Sequence, residues 1–180
     1  MPYIILGVVA LIVIWVIATY NKLVIVREKV RNSMGQIAAQ IESRWDAVSS
    51  LIQATKQYSA HEAELIENVT KSRSAIGKNS SVADVQNDSE KFNSIMGKLI
   101  AVAEAYPDLK ANTVYQTTME SINSYENNVR HSRMIFNDTV TMLNRAVMIF
   151  PNSIIAGIFG FHQEEYFKNT DIKSDMPSWN

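Results

Sequence analysis

The chain has 180 residues, 17 Lys+Arg against 18 Asp+Glu, a formal net charge of −1, and 47% apolar residues. That length suits one domain, and the balanced charge argues against a nucleic-acid-binding domain, which would need a basic face. Zero Cys excludes disulfides, thiolate zinc and iron–sulfur sites, a Cys nucleophile and lipidated Cys, while only four Pro and six Gly point to long helices rather than many short strands.

The first element is a charge-free run. Met1 to Asn21 carries no charged side chain, and 17 of its 21 residues are apolar. Pro2 to Tyr20 would form a helix of about 28 Å, close to the ~30 Å hydrocarbon core of a bilayer. Pro2 is tolerated in a first helical turn. Trp15 and Tyr20 stand where amphipathic rings favour the interface. A cleaved signal peptide would need a basic leader and a small-x-small site, and no Lys or Arg precedes the run. A buried core helix would keep a polar stripe or be shorter. The expectation is a transmembrane anchor over residues 1–21. Lys22, Arg27, Lys29 and Arg31 oppose only Glu28 on its C-terminal side. The positive-inside rule then puts the N-terminus outside and the remainder in the cytoplasm. The same cations could meet anionic lipid head groups or simply be solvated.

A stripe follows without a breaker: Leu23, Val26, Val30, Met34, Ile37, Ile41, Trp45, Val48 and Ile52. Its steps of three and four residues are helical and close on an eleven-residue repeat, so the anchor is expected to run on into a long helix. Gly35 within it costs about 1 kcal/mol against Ala. The pattern continues through Tyr58, Leu65, Ile66, Val69 and Ile76, but Ser59 and Glu62 fit a capping box. The helix therefore either bends near Ser59 or runs unbroken to Ile76.

Gly77 to Ser81 reads as a loop, and Ser81 with Asp84 opens the next helix. That helix places Val85, Phe92, Ile95, Leu99, Val102 and Tyr106 on one face and ends at Pro107. Asp108 is expected to cap a third long segment over 109–149, antiparallel to the second because the connection is short. There Tyr115, Ile122, Val129, Phe136, Leu143 and Phe150 recur every seven residues, flanked by Met119, Glu126, Arg133, Val140 and Val147. A seven-residue seam implies a left-handed twist against its partner. Phe150-Pro151 stops it. Asn152 and Ser153 can cap a short fourth helix, followed by Phe159, Phe161, Tyr166 and Phe167, an end cap to the core or a docking patch. The expected fold is all-α: an elongated antiparallel up-and-down bundle of four helices over residues 22–168, with a flexible tail at 169–180.

Sequence motifs for chemistry are missing. There is no phosphate-binding glycine loop, and Gly157-x-x-Gly160 is only a fragment of one. A di-iron bundle would need Glu three residues before its His. Tyr58, Asn128 and Phe159 precede His61, His131 and His162 instead. His61 with Glu62 and Glu64 is too few ligands for a metal. Catalytic, cofactor-binding and metal residues are therefore all expected to be none, with no cofactor and no enzyme activity. Glu126 and Arg133 are the exceptions on an apolar seam. They read as a partner-specifying pair or as a buried, satisfied pair, with Arg130 the simpler partner of Glu126.

Five stretches resemble the LemA family over about residues 20–167. They are Tyr20 to Val24 with Arg27 and Val30, and His61-Glu62 with Val69 to Arg73. Ala101 to Asn112 (AVAEAYPDLKAN) is the most specific. Glu126-Asn127 with Arg133 and Phe136 to Asp138, and Phe150 to Ser153 with Ile155-Ala156 and Phe161, complete the set. Two positions depart from the family pattern. Arg44 to Ile52 lacks the Pro many members carry, implying a less kinked helix, and Phe136 stands where Tyr is usual. The resemblance implies a bacterial, single-pass, cell-membrane four-helix bundle without assigned catalytic residues. It also implies a place in envelope stress or beside a membrane metalloprotease of the HtpX type. The expected role is a non-catalytic scaffold that meets the lipid bilayer and a membrane-protein partner or a second copy of itself, with no nucleic acid. The alternative is a sensor that binds a small molecule between its helices.

Overall fold

A computed structural model describes residues 2–55 and 75–168, and the described residues form helices without strands. α1 spans Pro2–Thr55 as one uninterrupted helix of 54 residues, about 80 Å long. The absence of any Pro after Pro2 in α1 and of any charge before Lys22 lets the apolar run and the eleven-residue stripe share one axis. The choice between a bend near Ser59 and a straight run to Ile76 lies outside the described residues. So do His61, Glu62 and Glu64, and the expected tail at 169–180.

The two halves of α1 have opposite environments. Leu6 and Leu11 are 70% and 68% exposed, whereas Leu23, Ile37, Ile41, Trp45 and Val48 are buried. That exposure is not what a core helix of a globular domain shows. Among the described residues, α1 is the one helix long and apolar enough by itself to cross a membrane.

α2 (Val82–Ala105) begins at the expected capping box: Ser81 Oγ accepts from the Asp84 N–H at 3.1 Å, and Asp84 Oδ2 accepts from the Ser81 N–H at 2.8 Å. The Ser81 N–H, and second the Ser81 hydroxyl donating to Asp84 Oδ2 at 2.8 Å, hold the Asp84 carboxyl below its ordinary pKa. A depressed carboxyl pKa contributes stability above its unfolded value and loses it as pH falls through the folded value. Acidification below the usual Asp range is therefore expected to fray the first turn of α2, read as loss of helical chemical shifts at Val82 to Val85; an unchanged first turn in acid would contradict this.

α2 ends at Ala105. Pro107 then opens a short helix, α3 (Pro107–Ala111), with buried Leu109 inside it. The expected Asp108 cap is thus corrected. Asp108 lies in the first turn of α3, and Asn112 caps α4 (Thr113–Met148) by accepting from the Val114 and Tyr115 N–H groups. Pro107 supplies no N–H and is preorganised for a first helical turn, so it starts a helix here as well as ending one. Tyr106, placed on the buried face by its spacing, is exposed because it sits at this junction with an extended backbone. α5 (Asn152–Phe159) follows α4 at 99°. Its N-cap residue is Pro151 with no side-chain bond, so Asn152 and Ser153 do not cap it, and it closes on Gly160 at φ 68°.

Contacts set the directions. Ser33 hydrogen-bonds Thr139 at 2.9 Å and Arg44 meets Glu126, so α4 runs antiparallel to α1. Ser89 receives Arg133, so α4 also runs antiparallel to α2. The loop at Lys78 lies by Gly35 and Asp88 lies by Trp45, so α2 runs alongside α1 in the same direction. One apolar cluster joins the three: Ile37, Ile41 and Val48 with Ile95 and Leu99 and with Ile122, Val129 and Val140. A second, smaller cluster joins Leu23 to Ala146, Ile155, Ala156 and Phe161. The heptad row of α4 is buried at Tyr115, Ile122, Val129, Phe136 and Leu143, but Phe150 is 77% exposed because the helix has already ended at Met148.

Candidate functional site

The most polar part of the core is a charged cluster. Arg44 on α1 is fully buried beside Trp45. Its Nη2 donates to Asp88 Oδ2 on α2 at 2.7 Å, and its Nη1 donates to Glu126 Oε2 on α4. Trp45 Nε1 donates to the other Asp88 oxygen at 3.0 Å. The guanidinium lies 3.9 Å from the centroid of Phe92, whose ring packs edge-on to Trp45. Planar donation from two fixed nitrogens to two carboxylates and stacking on an aromatic face are Arg properties that Lys lacks. Asp88 is fully buried with both oxygens engaged, while Glu126 keeps a 24% exposed side chain and has Arg130 at 3.7 Å.

This arrangement ties three helices at one level and fixes their register, the best-attested use of a buried charge. Glu126, singled out from the sequence, therefore has Arg44 as its near partner, with Arg130 second. Arg133, its expected companion on the seam, turns to Ser89 and lies 5.3 Å from the ring of Phe167. Arg44 and Asp88 were missed. A signal existed for Asp88, since Val85, Asp88, Phe92, Ile95 and Leu99 step by three and four and leave it alone among apolar residues.

A second polar feature organises the end of the chain. Residues 161–168 lie outside any helix and run back along α4. Asn144 donates to the Glu164 carbonyl at 3.0 Å and accepts from the Glu164 N–H at 2.9 Å. Asn137 makes the same pair with Phe167, at 3.0 and 2.9 Å. Seven helical residues rise about 10.5 Å, and three extended residues span about 10 Å, so the two spacings match. Phe167 then seats on Phe136 with centroids 5.1 Å apart, and Phe161 on Tyr20 at 5.8 Å. The four late aromatics therefore divide: Phe161 and Phe167 are buried, Phe159 and Tyr166 are exposed. Each Asn→Ala change removes two bonds to backbone, and at about 1 kcal/mol per bond the strap is expected to loosen. Hydrogen exchange at Glu164 (Asn144→Ala) or Phe167 (Asn137→Ala) should accelerate while α4 stays protected; unchanged protection would contradict the pairing.

Surface hollows are open and modest in chemistry. One of about 760 Å³ lies by Arg31, Met34, Lys78, Ser81 and Glu164, with charges of both signs. Another of about 420 Å³ lies between α2 and α4 at Ile100, Lys110 and Tyr115. Burial pushes the Tyr115 phenol pKa upward, keeping it protonated. No group of three or more metal-ligating side chains occurs among the described residues.

A long helix that begins as an exposed apolar rod and ends inside a packed bundle defines the class: a helical-bundle protein with one helix fit to cross a membrane. The LemA family model matches residues 33–179, and the chain belongs to that family. Among curated proteins it is similar to the magnetosome protein MamQ of Magnetospirillum gryphiswaldense, 32% identical over 76 residues, which is 42% of this chain and 28% of that one. It is also similar to magnetosome protein MamQ 2 of Paramagnetospirillum magneticum, 30% identical over 77 residues, 43% of this chain and 28% of the relative. The matched stretch is thus little more than a quarter of those relatives' length.

Proposed function

We propose that this protein is a membrane-anchored, non-catalytic scaffold whose bundle stands in the cytoplasm on a single span and engages a second copy of itself or another membrane protein. The observation that carries this reading is the continuity of α1 from exposed Leu6 and Leu11 to buried Trp45 without a break. A hinge-free connection holds the bundle at a set distance and angle from the bilayer. Lys22, Arg27, Lys29 and Arg31 beyond the span support an outside N-terminus.

The Ala101–Asn112 stretch that resembles the family most specifically forms the α2–α4 junction. Ala146 packs with Leu23 near the span, so Thr113 lies about 50 Å further out along α4. Exposed Tyr106 and Val114 at that tip suit contact with a partner. A metalloprotease of the HtpX type and a role in envelope stress fit such an arm. The magnetosome relatives are named for a cellular structure, not for a reaction. The alternative reading as a small-molecule sensor gains less support, because Trp45, Phe92 and the Arg44 cluster fill the middle of the bundle.

Crosslinking of the full chain in intact cells, followed by native electrophoresis of the detergent extract, tests the proposal. Self-adducts or adducts with a membrane protein are expected; monomer alone would overturn it. Protease added to spheroplasts should leave the bundle intact, and its digestion would overturn the orientation.

A further inference from the structure

α5 has an apolar outer face that no other described residue covers. Ala146 to Phe161 is a second run of 16 residues without a charged side chain. Within it, Ile155 and Ala156 pack inward against Leu23, while Ile154 and Ile158 are 51% and 69% exposed. Phe150 before the helix and Phe159 at its end are exposed as well. A contiguous apolar patch of this kind marks a contact with something apolar.

Its position identifies that contact. Val16 packs on the same small cluster as Ile155, and the ring of Tyr20 lies 4.9 Å from that of Phe159. α5 therefore sits level with the end of the apolar span. It stands at 99° to α4, which is antiparallel to α1, so it crosses the anchor nearly at right angles. With α1 along the bilayer normal, α5 lies in the membrane plane at the head-group boundary. The Arg27 guanidinium lies 4.8 Å from the ring of Phe161 just after α5, Arg145 stands in the last turn of α4 before it, and Lys22 follows the span on α1. Cations beside an in-plane apolar helix suit anionic head groups above an acyl boundary.

We propose that α5 is an interfacial membrane helix: Ile154, Ile158 and Phe150 enter the lipid beside the span and give the bundle a second point of attachment. This rests on the anchored reading above. Two contacts on one rigid unit, rather than one, stop the bundle from swinging on the anchor.

The lack of Cys allows single-site labelling. An environment-sensitive fluorophore is placed on Leu11→Cys, Ile158→Cys or Ser124→Cys of the full chain, reconstituted in phosphatidylglycerol-containing vesicles with or without brominated lipid. Ser124 lies about half a turn beyond the Arg44–Glu126 level, about 37 Å past the end of the span. All three sites are exposed, so the labels leave the core intact. The expected result is blue-shifted emission and strong bromine quenching at 11 and 158, with neither at 124. Lipid signals at 11 but a water-like spectrum at 158 would overturn this proposal and leave the anchor standing. A water-like spectrum at 11 would overturn the anchor as well. A blue shift at 158 without bromine quenching would mean that protein, such as a second copy, covers the face, and would also overturn the lipid assignment.

Discussion

Replacing Asp88 by Ala is expected to destabilise the bundle by about 3–5 kcal/mol. The change leaves Arg44 fully buried with one of its two carboxylates gone and strips Trp45 Nε1 of its acceptor. Removing one member of a buried pair is costly because the other charge stays desolvated. Glu126→Gln should cost far less, since Glu126 is partly exposed and keeps its hydrogen-bonding shape. The double change Arg44→Met with Asp88→Leu should be milder than Asp88→Ala, because no buried charge is left over at those two positions. Thermal and urea unfolding of the full chain in detergent, followed by circular dichroism, measures all three. Equal stability of Asp88→Ala and the native chain would show that the cluster does not hold the helices.

Leu11→Arg combined with Ile14→Arg is expected to release the chain from lipid. Both residues are exposed in the apolar half of α1. An arginine near the middle of a span costs about 2.5–3.5 kcal/mol on insertion scales, so two shift the partition by about a thousandfold or more. Co-flotation with vesicles reads the loss. The fold of the bundle should survive, since neither side chain belongs to its core. A doubly substituted chain that still floats quantitatively after an alkaline carbonate wash, which strips interfacial contacts, would contradict a hydrophobic anchor.

Periodicity carried most of the fold. The stripe from Leu23 to Ile52 and the sevenfold row of α4 report burial directly, because a helix shows the same face every three or four residues. The Ser81–Asp84 box was legible because capping is local, needing only the two side chains and their own backbone. The errors fall at junctions. Asp108 and Asn112 are both good capping residues, and only the extended backbone at Asn112 decides between them. Tyr106 and Phe150 keep the helical spacing but stand where the helices have stopped, so the periodic rule no longer applies.

The polar site was less legible because its partners are far apart in sequence. Arg44, Asp88 and Glu126 lie on three helices, and pairing them requires the register that they themselves help to set. Glu126 stood out on its apolar seam, but the nearby Arg130 masked the distant Arg44. Asn137 and Asn144 show no hydrophobic signature at all. Their role depends on an extended segment whose spacing matches two helical turns, visible once 161–168 lies along α4.

The direct measurement of the central claim is alkaline carbonate extraction of membranes from cells producing the full chain, with the N-terminal sequence of the retained protein read in parallel. A pelleted protein that still carries Pro2 to Tyr20 is the predicted result; release into the supernatant, or a pelleted form that begins beyond Asn21, would contradict it.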